Sequence, residues 1–386
     1  VPFDHVAFVA HPLGSEPELT RETWHAVTAA HRALARLDQA SRQVPSPDLL
    51  RTPTLRREAQ STSALEGTFA PLDQVLSADT EEGADEPRSI ELIEVLNYVE
   101  AADAAFRWVQ ERPVITVGLL EAVHGTLVRG TASDGDDAGR VRRTPVAIGS
   151  PTGTVADARF VPMPPGTPLV AAIQQLVDWL RTHDGHDPLV AAALAHYQFE
   201  TLHPFNDGNG RIGRLLVVLQ FLTSNLVSEP LLSVSPWFEA RRSEYQERLA
   251  EVSATGDWDG WVQFFARGVE ASAIDTAQRV DRLLGIQQLY VQTLQVAEAR
   301  GMIRDIAEQL IGYPAVTVPR LMSRFSRTHQ AINSAVKRLV DLGILSGPLG
   351  SYNRQFLARD VFETIAAPMG AVRKPDEPLL KDRATT

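Results

Sequence analysis

The stretch from Asp187 to His203, DPLVAAALAHYQFETLH, carries small and apolar residues on nearly every side of a helical projection. Asp187 supplies an N-cap and Pro188 suits the first helical position. A helix that is apolar all round has to be buried, so the fold must be built around this one. Pro204 lacks a donor and disfavours α geometry in the residue before it, which predicts a helix end at His203. A second strongly apolar helix, within RIGRLLVVLQFLTSN, is predicted to start near Gly210 or Arg211. The residues between, HPFNDGNG, become the loop of a helix-loop-helix corner.

With 386 residues, 44% hydrophobic and 22% charged, the chain can bury a full core and is expected to form two or three domains. Its formal net charge of -11 opposes nonspecific attraction to nucleic acid or anionic lipid. Cysteine is absent, which excludes disulfides and thiolate metal sites and suits a reducing compartment. Apolar runs such as LLVVLQFL stop well short of the roughly 18 residues that a membrane span needs. The opening VPFDHVAFVAHPLG has no basic segment followed by an apolar one, so no signal peptide is read there. The expected location is the cytoplasm, with no membrane partner.

Helical spacing dominates elsewhere. The clearest exception is Arg143 to Pro165, where β-branched residues flank Gly, Ser and Pro turn chemistry, predicting one hairpin in a helical protein. Val280, Leu283, Leu284, Val291 and Leu294 recur at helical spacing, a connecting helix. Beyond Gly301 three short helices, a Gly-rich turn and a strand follow, the order of a winged helix-turn-helix. Residues 301–360 hold eight Arg or Lys against four Asp or Glu, a local +4 in an acidic chain. The expected division is therefore a helical region at 1–85, a core at 86–275, the connecting helix at 276–300, the winged unit at 301–366 and a mobile tail at 367–386.

The corner reads as chemistry. A helix N-terminus presents unpaired N–H groups and partial positive charge, and Gly208, Asn209 and Gly210 let an anion approach the backbone. Arg211 and Arg214, three apart, can project from one face of the first turn and fork onto phosphate oxygens, which points to a polyphosphate. Asp207 is a hard oxygen ligand, and Mg²⁺ binds through one or two carboxylates plus substrate phosphates. His203 across the loop suits removal of a hydroxyl proton at neutral pH. Singly, each piece has a plainer reading: a structural histidine, an Asp-Gly turn, a solvated arginine pair, a loop that is not a Walker A sequence. Their conjunction within twelve residues favours chemistry.

HPFNDGNGR followed by IGR, His203 to Arg214, resembles the motif of Fic-domain proteins, His-Pro-Phe-x-Asp/Glu-Gly-Asn-Gly/Lys-Arg-x-x-Arg, at every defined position. EVLNYVEA, AGRVRRTPVAIG, ARFVPMPP and GDWDGWVQFF are similar to the family too, so the resemblance covers roughly residues 55 to 275. It implies a mainly α fold, a Fic-type helical core with a β-hairpin flap, joined to the C-terminal winged helix-turn-helix found in many bacterial members. It also implies transfer of AMP from ATP to a Ser, Thr or Tyr hydroxyl of a target protein. On that reading His203 deprotonates the hydroxyl, and Asp207 holds Mg²⁺. Gly208, Asn209 and Gly210 stabilise the α-phosphate. Arg211 and Arg214 hold the pyrophosphate end, with Arg214 reaching the γ-phosphate. Kinase-type members tend to carry Lys where Gly210 stands, so Gly210 favours adenylylation. Val146, Ala147 and Ile148, in a flap running to Phe160, would align the target by backbone pairing. Trp237 is the candidate adenine contact, with core packing as the alternative.

TSALEG, Thr62 to Gly67, resembles the family's inhibitory motif, Ser/Thr-x-x-x-Glu-Gly/Asn. Glu66 paired with Arg214 would occupy the arginine needed by the γ-phosphate, so the resting chain is expected to be autoinhibited. Some members with such a glutamate also remove AMP from targets, and similar proteins commonly form homodimers. The alternative class is a DNA-binding regulator whose Fic core senses nucleotide. Ser326, Arg327, Thr328, Gln330, Asn333 and Lys337 would then line a recognition helix beginning near Ser326.

Overall fold

The computed structural model describes residues 6–42, 47–78, 88–150, 152, 154–182, 185–349 and 354–379. The described residues are mainly helical. The first half comprises α1 (Arg21–Arg42), α2 (Pro47–Leu65), α3 (Leu72–Ser77), α4 (Ile90–Glu111), α5 (Val117–Leu127), α6 (Thr167–Thr182), α7 (Pro188–Leu202) and α8 (Asn209–Thr223). Then come α9 (Ser235–Glu239), α10 (Arg242–Thr255), α11 (Trp258–Val296), α12 (Met302–Gln309), α13 (Val318–Phe325), α14 (His329–Asp341) and α15 (Arg359–Ala366). Three short strands, β1 (Ala315–Thr317), β2 (Ser346–Leu349) and β3 (Gln355–Leu357), complete the second half.

α7 and α8 stand between two apolar layers, as all-round apolar helices must. On one side Phe199, Leu202, Ile212 and Leu216 pack with Val95 of α4, Leu120 of α5 and Ile173 of α6. On the other, Leu189, Tyr197, Val217 and Phe221 pack with Leu34 of α1, Phe238 of α9 and Trp261 and Phe265 of α11. Each fully buried side chain of this size contributes about 1.5–3 kcal/mol, so the corner between α7 and α8 is rigidly placed. Asp187 caps α7 by accepting the Leu189 and Val190 amides. α8 begins at Asn209, one residue before the expected start, because Gly208 supplies a left-handed N-cap at φ 74°.

α11 runs unbroken for 39 residues through the expected junction at 275/276, so the connecting helix is the second half of a core helix. Gly268 and Gly285, two of its three glycines, are sites of close packing, where neighbours fill the space a Cβ would take: the Trp237 ring at Gly268 and the Pro375 carbonyl at Gly285.

In the C-terminal unit, β3 lies between β1 and β2, both antiparallel to it, with Val316 opposite Phe356 and Ser346 opposite Leu357. Leu310, Leu321, Ile332, Val336, Leu339 and Val361 form its core. Three expectations change here. The strand expected after the Gly-rich turn, RQFLARDVFETI, is β3 followed by α15, because Val361 and Ile365, four apart, are buried in that core. The helix expected near Ser326 begins at His329. Ser326 is the left-handed end of α13 at φ 51°, and Thr328 caps α14 by accepting the Ala331 amide. Arg327 and Thr328 therefore lie in the turn, while Gln330 and Lys337 are exposed on α14 and Asn333 is half-buried. The described part of the tail, residues 367–379, is tied down: Arg279 bonds the Ala367 and Pro368 carbonyls, and Arg282 bonds those of Lys374, Pro375 and Glu377. Residues 380–386 lie outside the described residues. No helix among the described residues is long and apolar enough to cross a membrane.

Candidate active site

His203 ends α7 in the left-handed conformation at φ 48°, an uncommon state for a residue with a Cβ and a mark of local strain. The loop after it is braced from within: the Asn209 side chain accepts the Phe205 amide and donates to the Phe205 carbonyl. Phe205 is buried and stacks on His124, with ring centroids 4.2 Å apart. Gly208 is favoured twice over, since its φ is positive and a Cβ would meet Leu127 Cδ2 at 2.6 Å. The loop so held delivers the chain into α8, whose first N–H groups have no intrahelical acceptor.

His203 Nδ1–H donates to the Glu200 carbonyl at 3.3 Å, which leaves the lone pair on Nε2. Burial pulls the imidazole pKa down to about 4, so the ring is neutral, and able to accept a proton, at physiological pH. Arg142 joins this corner to the expected flap. Its amide donates to the Pro204 carbonyl, and its buried guanidinium donates to the carbonyls of His203, Thr144 and Met163.

The two motif arginines do not converge on one spot in this state. Arg214, 1% exposed, donates from Nε to Thr62 Oγ1 at 2.7 Å and from Nη2 to the Thr62 carbonyl at 3.0 Å and Glu66 Oε1 at 2.6 Å. Burial opposes its charge, but Glu66 above all outweighs burial and raises its pKa. The Glu66 carboxylate also rests on Gly210: a Cβ there would stand 2.0 Å from Oε1. Gly67, at φ 97°, turns the chain away just after it. Arg211 lies between Asp207, at 3.2 Å, and Glu94, at 3.3 Å. Glu94 also accepts the Thr68 hydroxyl at 2.7 Å, tying the segment after Gly67 to the same arginine.

Asp207 accepts from Ser133 Oγ at 2.9 Å and from the Gly208 amide at 2.6 Å. Burial opposes its ionisation, yet Arg211 and these donors outweigh burial, and its pKa lies below the usual carboxylate value. Its side chain is 44% exposed and faces a cavity of about 270 Å³ that Asp136 and Asp137 also line. Among the described residues no group of three or more His, Cys, Asp or Glu could hold a metal ion. The donor set thus fits an ion bound by one carboxylate and completed by phosphate oxygens, not an all-protein cage.

The expected hairpin is reduced, among the described residues, to one bridge between Ile148 and Phe160. Asp157 explains this: it accepts from the hydroxyls of Ser150, Thr152 and Thr154 and from the Thr152 amide, so local side-chain bonds replace a ladder. Val146, Ala147 and Ile148 remain half-exposed. Trp237 is 7% exposed, packed on Phe238 and Phe264 with the Arg241 guanidinium over its ring. The structure surrounds it with aromatic core rather than with the motif loop.

Glu94, Ser133, Arg142 and Glu200 escaped the reading of the sequence. The Glu200 carboxyl presses on α8 where a Gly213 Cβ would stand 2.3 Å from its Oε1, an atom that is buried without a hydrogen-bond partner among the described residues. Burial, reinforced by Glu66 and opposed by Arg214, pushes its pKa up to about 8.

A buried corner of this kind, with a histidine at one helix end and a plugged arginine at the next helix start, defines a class that comparison identifies. Residues 24–107 match the model of the Fic/DOC family N-terminal region and residues 114–221 that of the Fic/DOC family. The chain carries the Fic/DOC N-terminal and Fic domains. It is 33% identical over 184 residues to the protein adenylyltransferase fic-1 of Caenorhabditis elegans, which covers 46% of this chain and 32% of that protein. It is 27% identical over 179 residues to a probable protein adenylyltransferase of Aquifex aeolicus, covering 45% of this chain and 49% of that one. The chain thus spans between about a third and a half of the length of these relatives. The solved structure of a Fic family protein from Desulfovibrio desulfuricans shares its fold, with a TM-score of 0.57 over 90% of this chain and 98% of that one at 21% identity.

Proposed function

We propose that the chain transfers the adenylyl group of ATP to a Ser, Thr or Tyr hydroxyl of another protein, and that Glu66 holds it inactive at rest. The observation that carries this reading is the pairing of Glu66 with Arg214 on top of Gly210, at the helix start that would seat the phosphates. His203 Nε2 takes the hydroxyl proton as the oxygen attacks the α-phosphorus. The bond from that phosphorus to the bridging oxygen breaks, and pyrophosphate leaves. The N–H groups at the start of α8 bear on the charge that develops, a role needing fixed donors more than covalent chemistry. Arg214 and Arg211, once freed from Glu66 and Glu94, meet the outgoing phosphates. Asp207 would hold Mg²⁺, which supplies neutralising charge on the phosphate oxygens. The segment around Ile148 offers its backbone edge to the target. Similarity to protein adenylyltransferases of Caenorhabditis elegans and Aquifex aeolicus supports the reaction class. The positive C-terminal unit, with Gln330 and Lys337 exposed, supports contact with DNA as a second and separate reading.

The test is incorporation of label from ATP into protein. Glu66→Gly raises it, by about tenfold to a hundredfold if the charged contact is worth its usual 1.5–3 kcal/mol. His203→Ala in that background lowers it by about 10²- to 10⁴-fold. Full activity of the histidine variant would overturn the catalytic reading, and an unchanged rate in Glu66→Gly would overturn the regulatory one.

A further inference from the structure

A cavity of about 620 Å³ opens between α2, α9, α11 and the segment after α15. This is the size of a small-molecule site. Its place is unusual because α2 is the helix that leads directly into Glu66. Arg57, Gln60 and Ser61 of α2 line the cavity, while Glu58 and Thr62 of the same helix, and Glu66 just after it, meet Ser233, Ser235 and Arg214. Helical spacing puts these two sets on adjoining faces.

The wall carries two guanidiniums, Arg57 and Arg241, and two carboxylates, Glu239 and Asp275, but one of these carboxylates is already engaged from behind the wall. Arg57, with 9% of its side chain exposed, meets Asp275 at 3.4 Å. That carboxylate is already held by Arg279 at 2.8 Å and by the Gly370 amide at 2.9 Å. Two buried guanidiniums thus share one carboxylate in these contacts, and Glu58 and Glu239 add attraction to Arg57 at longer range. Burial first, and Arg279 next, pull the Arg57 pKa down to about 10, as expected of an under-compensated cation. Arg241, exposed, adds a second positive group, 4.4 Å from the centroid of the Trp237 ring. Glu239 is the further carboxylate of the lining, and the rest is largely apolar, including Leu72, Ile274 and Met369.

We propose that this cavity is an effector site for a small organic anion with a flat apolar body, its acidic group between Arg57 and Arg241 and its body along Trp237 and Ile274. A bare inorganic anion would leave the apolar wall uncovered, and a cation would meet two guanidiniums. A ligand that bridges α2 to α11 gains its contacts only while α2 is docked, so it binds the Glu66-paired state better and strengthens inhibition. This regulatory half rests on the adenylyl-transfer reading; the binding half does not.

The probe is 8-anilinonaphthalene-1-sulfonate, titrated into the full chain with its emission excited through tryptophan. The expected result is saturation at one site, weakened about tenfold or more by Arg57→Met, as loss of a charged contact implies, and abolished by Ala271→Phe, which fills the wall. Near-UV circular dichroism checks that both variants are folded; if Arg57→Met is not, Ala271→Phe decides. Emission that never saturates, or binding to folded Ala271→Phe as tight as to the parent, overturns the site. The probe should also lower AMP incorporation by the Glu66-bearing chain while binding Glu66→Gly without slowing it; equal inhibition of both overturns the coupling. If Glu66→Gly transfers no AMP at all, the enzymatic reading fails while the titration still decides the site.

Discussion

Glu200 shows how a single residue writes a pH dependence into the fold. Its carboxyl pKa of about 8, set chiefly by burial, lies above the ordinary value of 4.5. Between those values the folded chain keeps a proton that the unfolded chain has released, so the stability this proton carries is full at low pH and lost as pH rises through 8. Glu200→Gln cannot titrate, and relative to it the parent should lose on the order of a few kcal/mol between pH 5 and pH 8. Urea melts of both proteins at the two pH values test this; curves that stay parallel would mean that the carboxyl ionises normally in the fold. Glu200 was invisible to sequence reading because its environment comes from Arg214, Glu66 and Gly213, the first two on the next helix and a distant one. The placing of His203, Asp207, Arg211 and Arg214 around one corner was legible because it follows from a local loop whose glycines and proline admit few conformations. Glu66 was legible only through a resemblance, since many helices end in Glu-Gly. Glu94, which holds Arg211 much as Glu66 holds Arg214, lies in a helix interior with no local pattern to mark it.

At the scale of elements, the decisive contact is the end of α2 against the start of α8. It is possible only because position 210 has no side chain: the Glu66 carboxylate fills the volume a methyl group would take, with Arg214 Nη1 2.9 Å from the same point. Gly210→Ala should therefore destabilise the Glu66-bearing chain by about 1–3 kcal/mol more than it destabilises Glu66→Gly. Urea melts of the four proteins of that cycle measure the difference, and additive effects would show that Glu66 is not seated there in solution. The ends of α7 and α8 could be read from Asp187, Pro188 and Pro204 because capping and proline act over a few residues. The flap could not, because the clustering of three hydroxyls on Asp157 depends on a turn geometry that alternation of residue types does not reveal. α15 was missed for a related reason: its helical face is defined by the C-terminal core it packs on, and the strand just before it blurs the period.

Across the whole molecule, α2 belongs to two places at once. Its C-terminal end leads into Glu66, which lies over the start of α8, whereas Leu50 near its start is part of the C-terminal core, with Val280, Ile306, Leu310 and Ile332. Pro53 inside α2 has no N–H for the Leu49 carbonyl, and Gly312 of the C-terminal unit packs on that oxygen, which is 2.9 Å from where its Cβ would be. Nothing in the local sequence announces such a bridge, since it exists only when residues some 260 positions apart have been brought together. A helix anchored at both ends transmits displacement, so a disturbance at Leu49 should reach Glu66. Gly312→Leu forces backbone to move, not merely a side chain, and overpacking of this kind costs about 1–3 kcal/mol. If most of that strain is relieved by releasing α2, AMP incorporation by the Glu66-bearing chain rises by about 5- to 150-fold, with Gly312→Ala giving a smaller rise. The same substitutions in Glu66→Gly should add nothing, because the plug is already gone. A folded Gly312→Leu chain that works at the parent rate would show that the C-terminal unit and the nucleotide site are independent, and that α2 fastens one to the other without carrying a signal between them.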